Sequence, residues 1–172
     1  MGIQAQGQQH CLTVRVPYFP PSANHIYVNG RGGRRFLSKE AEAFKKNVIS
    51  HIQSSYLSEI GSLDREALYR VWYVLYFNEK DVLTASYGSG KKDAAKSRYK
   101  RVDSQNRLKL VTDCLATAIA IDDSQFWEEG VTKRVVTNDV KPWVDIFMTV
   151  IPIDYFIVDS GIIQKRSWGV TT

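Results

Sequence analysis

The sequence predicts a small α/β (α+β) domain, a mixed sheet with helices on one face in the order strand, helix, strand, helix, strand, strand. Three observations predict it. Four short segments carry the alternation or the β-branched and aromatic content of strands. Two longer segments repeat apolar residues at helical spacing. A chain of 172 residues with 44% hydrophobic and 24% charged content is long and apolar enough for one core.

Leu12 to Val16 alternates apolar and polar side chains, the period of a half-buried strand, and Pro17, Pro20 and Pro21 end it. Ser22 to Gly33 reads as loop, small, polar and glycine-rich, with Asn24, His25, Tyr27 and Asn29 as its notable side chains. Ser38 is an N-cap for a first helix of roughly 38 to 57, on which Phe44, Val48, Ile52 and Tyr56 recur at helical spacing. Gly61 and Ser62 break the chain. Tyr69 to Phe77 is aromatic and β-branched, too apolar for an exposed helix and of the right length for a central strand. The second helix runs from Gln105 to about Ile119, with Leu108, Val111, Leu115, Ala118 and Ile119 as its stripe and Asp103 or Ser104 as its cap. Val131 to Thr137 and Pro142 to Ile151 complete the strands. No internal repeat is present. The chain divides into a leader (1–11), a domain (12–151) and a C-terminal extension (152–172) whose residues Ile153 to Ile163 are still apolar enough to pack.

No run of about 18 apolar residues exists, so a membrane span is not expected. Met1 to His10 is glutamine-rich without an apolar centre, unlike a secretory signal. Cys11 and Cys114 make neither a disulfide framework nor a zinc site, and read as small buried thiols in a reducing compartment. The net charge of +5 is moderate, but its distribution is uneven. Lys91, Lys92, Lys96, Arg98, Lys100 and Arg101 face a single acid, Asp93, in a loop opened by Gly88-Ser89-Gly90. Arg31, Arg34 and Arg35 form a second cluster among Gly30, Gly32 and Gly33. One such cluster is ordinarily a solvated loop. Two of them in a chain that also carries an acidic segment favour nucleic acid, whose phosphates they can follow with release of counterions.

The acidic segment is the candidate for chemistry. Asp103 opens the second helix, and Asp122 and Asp123 lie just past its end, roughly 25 to 30 Å away along an ideal helix. A straight helix keeps them apart within one subunit. Clustered aspartates suit magnesium or manganese, and Lys109 suits charge neutralisation at a phosphate. Helix capping and turn chemistry are alternative uses for the same aspartates, and a helix ion pair with Lys109 is one for Asp113.

Three ordered blocks then resemble the RusA-type Holliday junction endonucleases over roughly residues 12 to 151. They are Pro20-Pro21-Ser22-Ala23-Asn24-His25-Ile26-Tyr27 with the later Ser38-Lys39-Glu40-Ala41, Arg101-Val102-Asp103-Ser104-Gln105-Asn106-Arg107-Leu108-Lys109, and Ile121-Asp122-Asp123-Ser124-Gln125. The resemblance implies a homodimer that binds four-way junctions and nicks two opposed strands with Mg2+ or Mn2+, in recombination or repair. It places the protein in the cytoplasm of a bacterial or phage-infected cell. Matched by position, Asp103 is the first acidic ligand, Lys109 the catalytic lysine and Asp123 the later acid, with Asp122 its neighbour and Asn106 the asparagine of the motif. Gln105 stands where the family has a second aspartate, and the spacing from Lys109 to the aspartate pair is one residue shorter. Glutamine offers a metal a carbonyl oxygen but no charge. The resemblance therefore implies either an active variant, its metal completed by a group such as Asp113, or a junction-binding protein with weak or no cleavage. DNA contacts fall to Arg31, Arg34, Arg35, Lys91, Lys92, Lys96, Arg98, Lys100 and Arg101, and to Asn106. Tyr27 and Trp127 are candidates to stack on an opened junction, with a place in the core or at its rim as the alternative use of either ring.

Overall fold

The computed structural model describes residues 11–83 and 105–152, and on these it draws one four-stranded sheet backed by two long helices. In chain order the elements are β1 (Leu12–Val16), α1 (Ala23–Ile26), β2 (Tyr27–Asn29), β3 (Arg35–Leu37), α2 (Lys39–Ser55), α3 (Leu57–Gly61), β4 (Leu68–Asn78), α4 (Glu79–Val82), α5 (Gln105–Ile119), β5 (Phe126–Val136) and β6 (Trp143–Ile151). The main sheet is ordered β1-β6-β4-β5. β6 pairs antiparallel with both β1 and β4, whereas β5 runs parallel to β4. A parallel pair needs a crossover, and the path from β4 to β5 includes α5.

One face of the sheet is dry. Leu12, Val14 and Val16 of β1, Tyr69, Val71, Tyr73, Leu75 and Phe77 of β4, and Val144, Ile146 and Met148 of β6 are buried there. Phe44, Val48 and Ile52 of α2 and Leu108, Val111, Leu115, Ala118 and Ile119 of α5 close the same core. The predicted stripes of both helices are therefore the buried ones, except that Tyr56 falls just past the end of α2 and is half-buried. Ser38 caps α2 as expected, its Oγ accepting from the Ala41 N–H at 3.1 Å. The opposite face keeps Trp72 at 45% exposure, and there Arg15 grips Asp145 with two hydrogen bonds (2.8 and 3.0 Å) beneath the stacked rings of Tyr76 and Trp143.

The edge of β1 is closed by α2 and the residue that follows it: His51 Nε2 lies 2.8 Å from the Arg15 carbonyl, and Tyr56 Oη accepts from the Arg15 N–H at 3.0 Å. At the other end of the chain's central path, the buried Asn78 donates from Nδ2 to the carbonyls of Thr137 (3.1 Å) and Val140 (2.6 Å), tying the exit of β4 to the turn after β5.

Two sequence expectations need correction. Ser22 to Gly33 is not simply loop, because it contains α1 and the first strand of the β2–β3 hairpin. Gly32 and Gly33, both at φ +75, allow the reversal. The third strand also begins earlier than Val131, at Phe126. Glu128 and Glu129 disguise its start, but Glu128 pairs ionically with Arg70 across the sheet and Gly130 lies under the Trp72 ring. The leader 1–10 and the extension 153–172 lie outside the described residues.

Candidate functional site

The two ends of α5 carry Gln105, Asn106 and Lys109 on one side and Asp122 and Asp123 on the other. At its start Gln105 and Lys109 are exposed, one turn apart. Asn106 lies on the same first turn, its side chain outside the description, as are Asp103 and the basic stretch Lys91, Lys92, Lys96, Arg98, Lys100 and Arg101. Arg107 fixes this end to the proline segment after β1. Its Nη1 donates to the Pro20 carbonyl at 3.0 Å, and its guanidinium lies 5.4 Å from the Phe19 ring and 5.6 Å from the Phe77 ring. The motif's arginine is a structural brace.

Along the middle of α5, Thr112 Oγ1 donates a hydrogen bond either to Tyr73 Oη (2.9 Å) or to Glu129 Oε1 (3.0 Å), and Tyr73 Oη approaches the same Glu129 oxygen at 3.2 Å. Burial pushes the Tyr73 phenol well above its ordinary range. This contact fixes the rotation of α5 on β4 and β5. Asp113 is half-buried, and the expected ion pair with Lys109 does not form. The helix therefore leaves the Lys109 ammonium free of an internal acid among the described residues.

At the far end α5 stops in a left-handed turn. Ala120 takes φ 54, and the Ile121 N–H reaches back to the Ala116 carbonyl at 3.2 Å, closing the last turn while Ile121 drops into the core. The chain then turns outward at Asp122 and Asp123. These neighbours have different occupations. Asp122 Oδ1 accepts from the Ser124 N–H at 2.9 Å and caps the short 3-10 turn Asp123–Gln125, which holds its carboxyl below the usual range. Asp123 is exposed, and its carboxylate has no hydrogen bond or ion pair among the described residues. The turn is stapled from below: Gln125 Nε2 donates to the carbonyls of Arg65 (2.8 Å) and Ala67 (3.0 Å), while Arg65 donates to the carbonyls of Ile119, Ala120 and Ile60.

Lys109 and Asp123 thus stand at opposite ends of one helix, separated by roughly 15 Å or more at 1.5 Å per residue. Asp123 has the hard oxygens a magnesium or manganese ion takes, but the described residues gather no cluster of three or more His, Cys, Asp or Glu. By themselves they do not make a divalent-ion site.

The glycine and arginine cluster forms the turn of the β2–β3 hairpin, with Arg31, Arg34 and Arg35 all exposed. Arg35 lies over the Tyr27 ring at 5.1 Å, so Tyr27 is already covered on one side. Beside it sits Phe36, exposed at 53%, which sequence reasoning did not single out. The signal was present: Tyr27-Val28-Asn29 and Arg35-Phe36-Leu37 flank a glycine-rich turn, the pattern of a hairpin. Neither cysteine is reactive in character. Burial pushes the Cys114 thiol up to about 12, and Cys11, also raised by burial, donates from Sγ to the Met148 carbonyl at 3.2 Å.

No helix among the described residues is long and apolar enough to cross a membrane. A search of curated proteins finds no match. The family model for endodeoxyribonuclease RusA matches residues 17–149, well over half of the chain. That span takes in the proline segment after β1, the arginine hairpin, the whole of α5 and the Asp122-Asp123 turn, and on it this chain belongs to the RusA endodeoxyribonuclease family, the Holliday junction endonucleases.

Proposed function

We propose that this protein binds four-way DNA junctions as a homodimer and nicks two opposed strands, each hydrolytic site being shared between the protomers. The motif at the start of α5 in one protomer, Asp103 to Lys109, would meet Asp123 of the other. The observation that carries this reading is the separation of Lys109 from Asp123 by the length of α5. A two-fold dimer brings unlike ends of two copies of one helix together twice, which matches a substrate that is itself two-fold.

Asp103 and Asp123 would hold Mg2+ or Mn2+, with the Gln105 carbonyl oxygen as a neutral third donor. An ion held there would lower the pKa of a bound water and offset charge on the departing oxygen. Lys109, exposed and without an acid partner among the described residues, neutralises charge that develops on the scissile phosphate. Asp122 is assigned to the turn rather than to the ion, because its Oδ1 accepts from the Ser124 amide. Arg31, Arg34 and Arg35, with Lys91, Lys92, Lys96, Arg98, Lys100 and Arg101, would follow the backbone and position the junction.

A mixing experiment tests the shared site. Lys109→Ala and Asp123→Asn are each expected to be inactive as homodimers on a synthetic four-way junction. Co-refolded together, their heterodimers contain one intact composite site and nick one strand of the pair. No recovery of nicking in the mixture would show that each protomer carries its own complete site, or none. The second reading is a junction binder that does not cut. Gln105 at the position of a family aspartate favours it. Wild type that binds junctions without nicking, and nicks once Gln105→Asp is introduced, would establish that reading.

A further inference from the structure

The β2–β3 hairpin pairs Tyr27 with Leu37, Val28 with Phe36 and Asn29 with Arg35. Paired residues share a face, so Tyr27, Leu37, Asn29 and Arg35 lie on one side and Val28 with Phe36 on the other. The first side is occupied: Leu37 packs on the core, and Arg35 covers Tyr27. The second is not. Val28 is 51% and Phe36 53% exposed, an apolar pair held out from the body of the domain. The Phe36 ring rests against Gly30, where a β-carbon would come within 2.4 Å of Cε2, so the ring's position depends on glycine there. The base of the hairpin is fixed, since the Ser38 N–H donates to the Ile26 carbonyl at 2.8 Å and Ser38 Oγ to the His25 carbonyl. No acidic residue occurs between Ala23 and Lys39, and Arg31 and Arg34 are exposed without ion pairs among the described residues.

We propose that this hairpin is a wedge for the branch point of the DNA, with Phe36 stacking on a base exposed where the arms exchange strands and Arg31 and Arg34 on the flanking phosphates. The proposal rests on the junction-binding reading above. A continuous duplex hides every base face, whereas a crossover leaves faces open to an aromatic side chain. The charge around Phe36 is that of a phosphate-binding surface and selects nucleic acid as the occupant.

The test uses the full-length protein and a four-way junction carrying 2-aminopurine at the crossover, with a linear duplex of the same sequence as reference. Wild type is expected to raise the fluorescence of the unstacked base. Phe36→Leu, which keeps an apolar side chain, is expected to abolish that rise and weaken junction binding about tenfold, while duplex affinity and thermal melting stay unchanged. Phe36→Trp restores both. Arg31→Ala with Arg34→Ala weakens junction and duplex alike and flattens the salt dependence. A fluorescence rise that survives Phe36→Leu, or a loss equal on junction and duplex, overturns the wedge alone. Wild type with no preference for the junction overturns the wedge together with the function it rests on.

Discussion

Ala120 is the only non-glycine residue at positive φ among the described residues, and it sits where α5 must end for the aspartate pair to face outward. A β-carbon in the left-handed region costs about 1 kcal/mol, which glycine does not incur. Ala120→Gly is therefore expected to stabilise the fold by about 0.5–1 kcal/mol, raising Tm by roughly 1–4 °C in calorimetry. The two aspartates that follow separate in another way. The Asp122 carboxyl is held below its free value by the Ser124 amide, so the turn it closes is supported at neutral pH and loses that support as acid protonates it. Asp122→Ala is expected to melt below wild type at pH 7, with the gap closing as the pH falls below about 4. Melting curves over that range are the check. In nicking assays the same variant should retain activity at neutral pH, whereas Asp123→Asn should not.

At the scale of elements, α5 is held in three places: Arg107 at its start, Thr112 in its middle and Arg65 at its end. The middle hold is sensitive to alkali. The Tyr73 phenol is neutral in the fold and its pKa is raised above the ordinary 10, so its contribution is complete below pH 10 and is lost as the pH rises towards the folded value. Tyr73→Phe should cost about 1 kcal/mol at pH 7 and shift the alkaline unfolding of the protein upward, as followed by circular dichroism. The elements that were legible in the sequence are those whose burial is regular. β1 alternates without error over Leu12–Val16, and both helix stripes repeat over four turns, so their periods survive reading by eye. The β2–β3 hairpin escaped because strands of three residues are too short to show a period, and its glycines dominate the local composition. The start of β5 escaped because Glu128 and Glu129 are satisfied by partners on β4, Arg70 and Tyr73, which are distant in sequence.

For the whole molecule, the candidate site was legible as a set of residue types and not as an assembly. Asp122 and Asp123 look equivalent in sequence, and only the Asx turn divides them into a structural and an available carboxylate. The distance across α5 was foreseeable from helix geometry, and it leads to an expectation about mass. The protein should sediment at twice its monomer mass at assay concentrations, and dilution into the monomer range should abolish nicking before it abolishes junction binding.

Arg65 and Gln125 also make the Asp123 turn and the segment after α3 into a single mechanical joint. The carboxylate's position is thereby set from outside the helix that delivers it, by a strap of chain between Ile60 and Ala67. Lengthening that strap by one residue would displace Asp123 while the core stripes of α2 and α5 stay packed. On the shared-site proposal, a protein altered in this way would fold and melt as before, yet misplace the acid that the composite site requires.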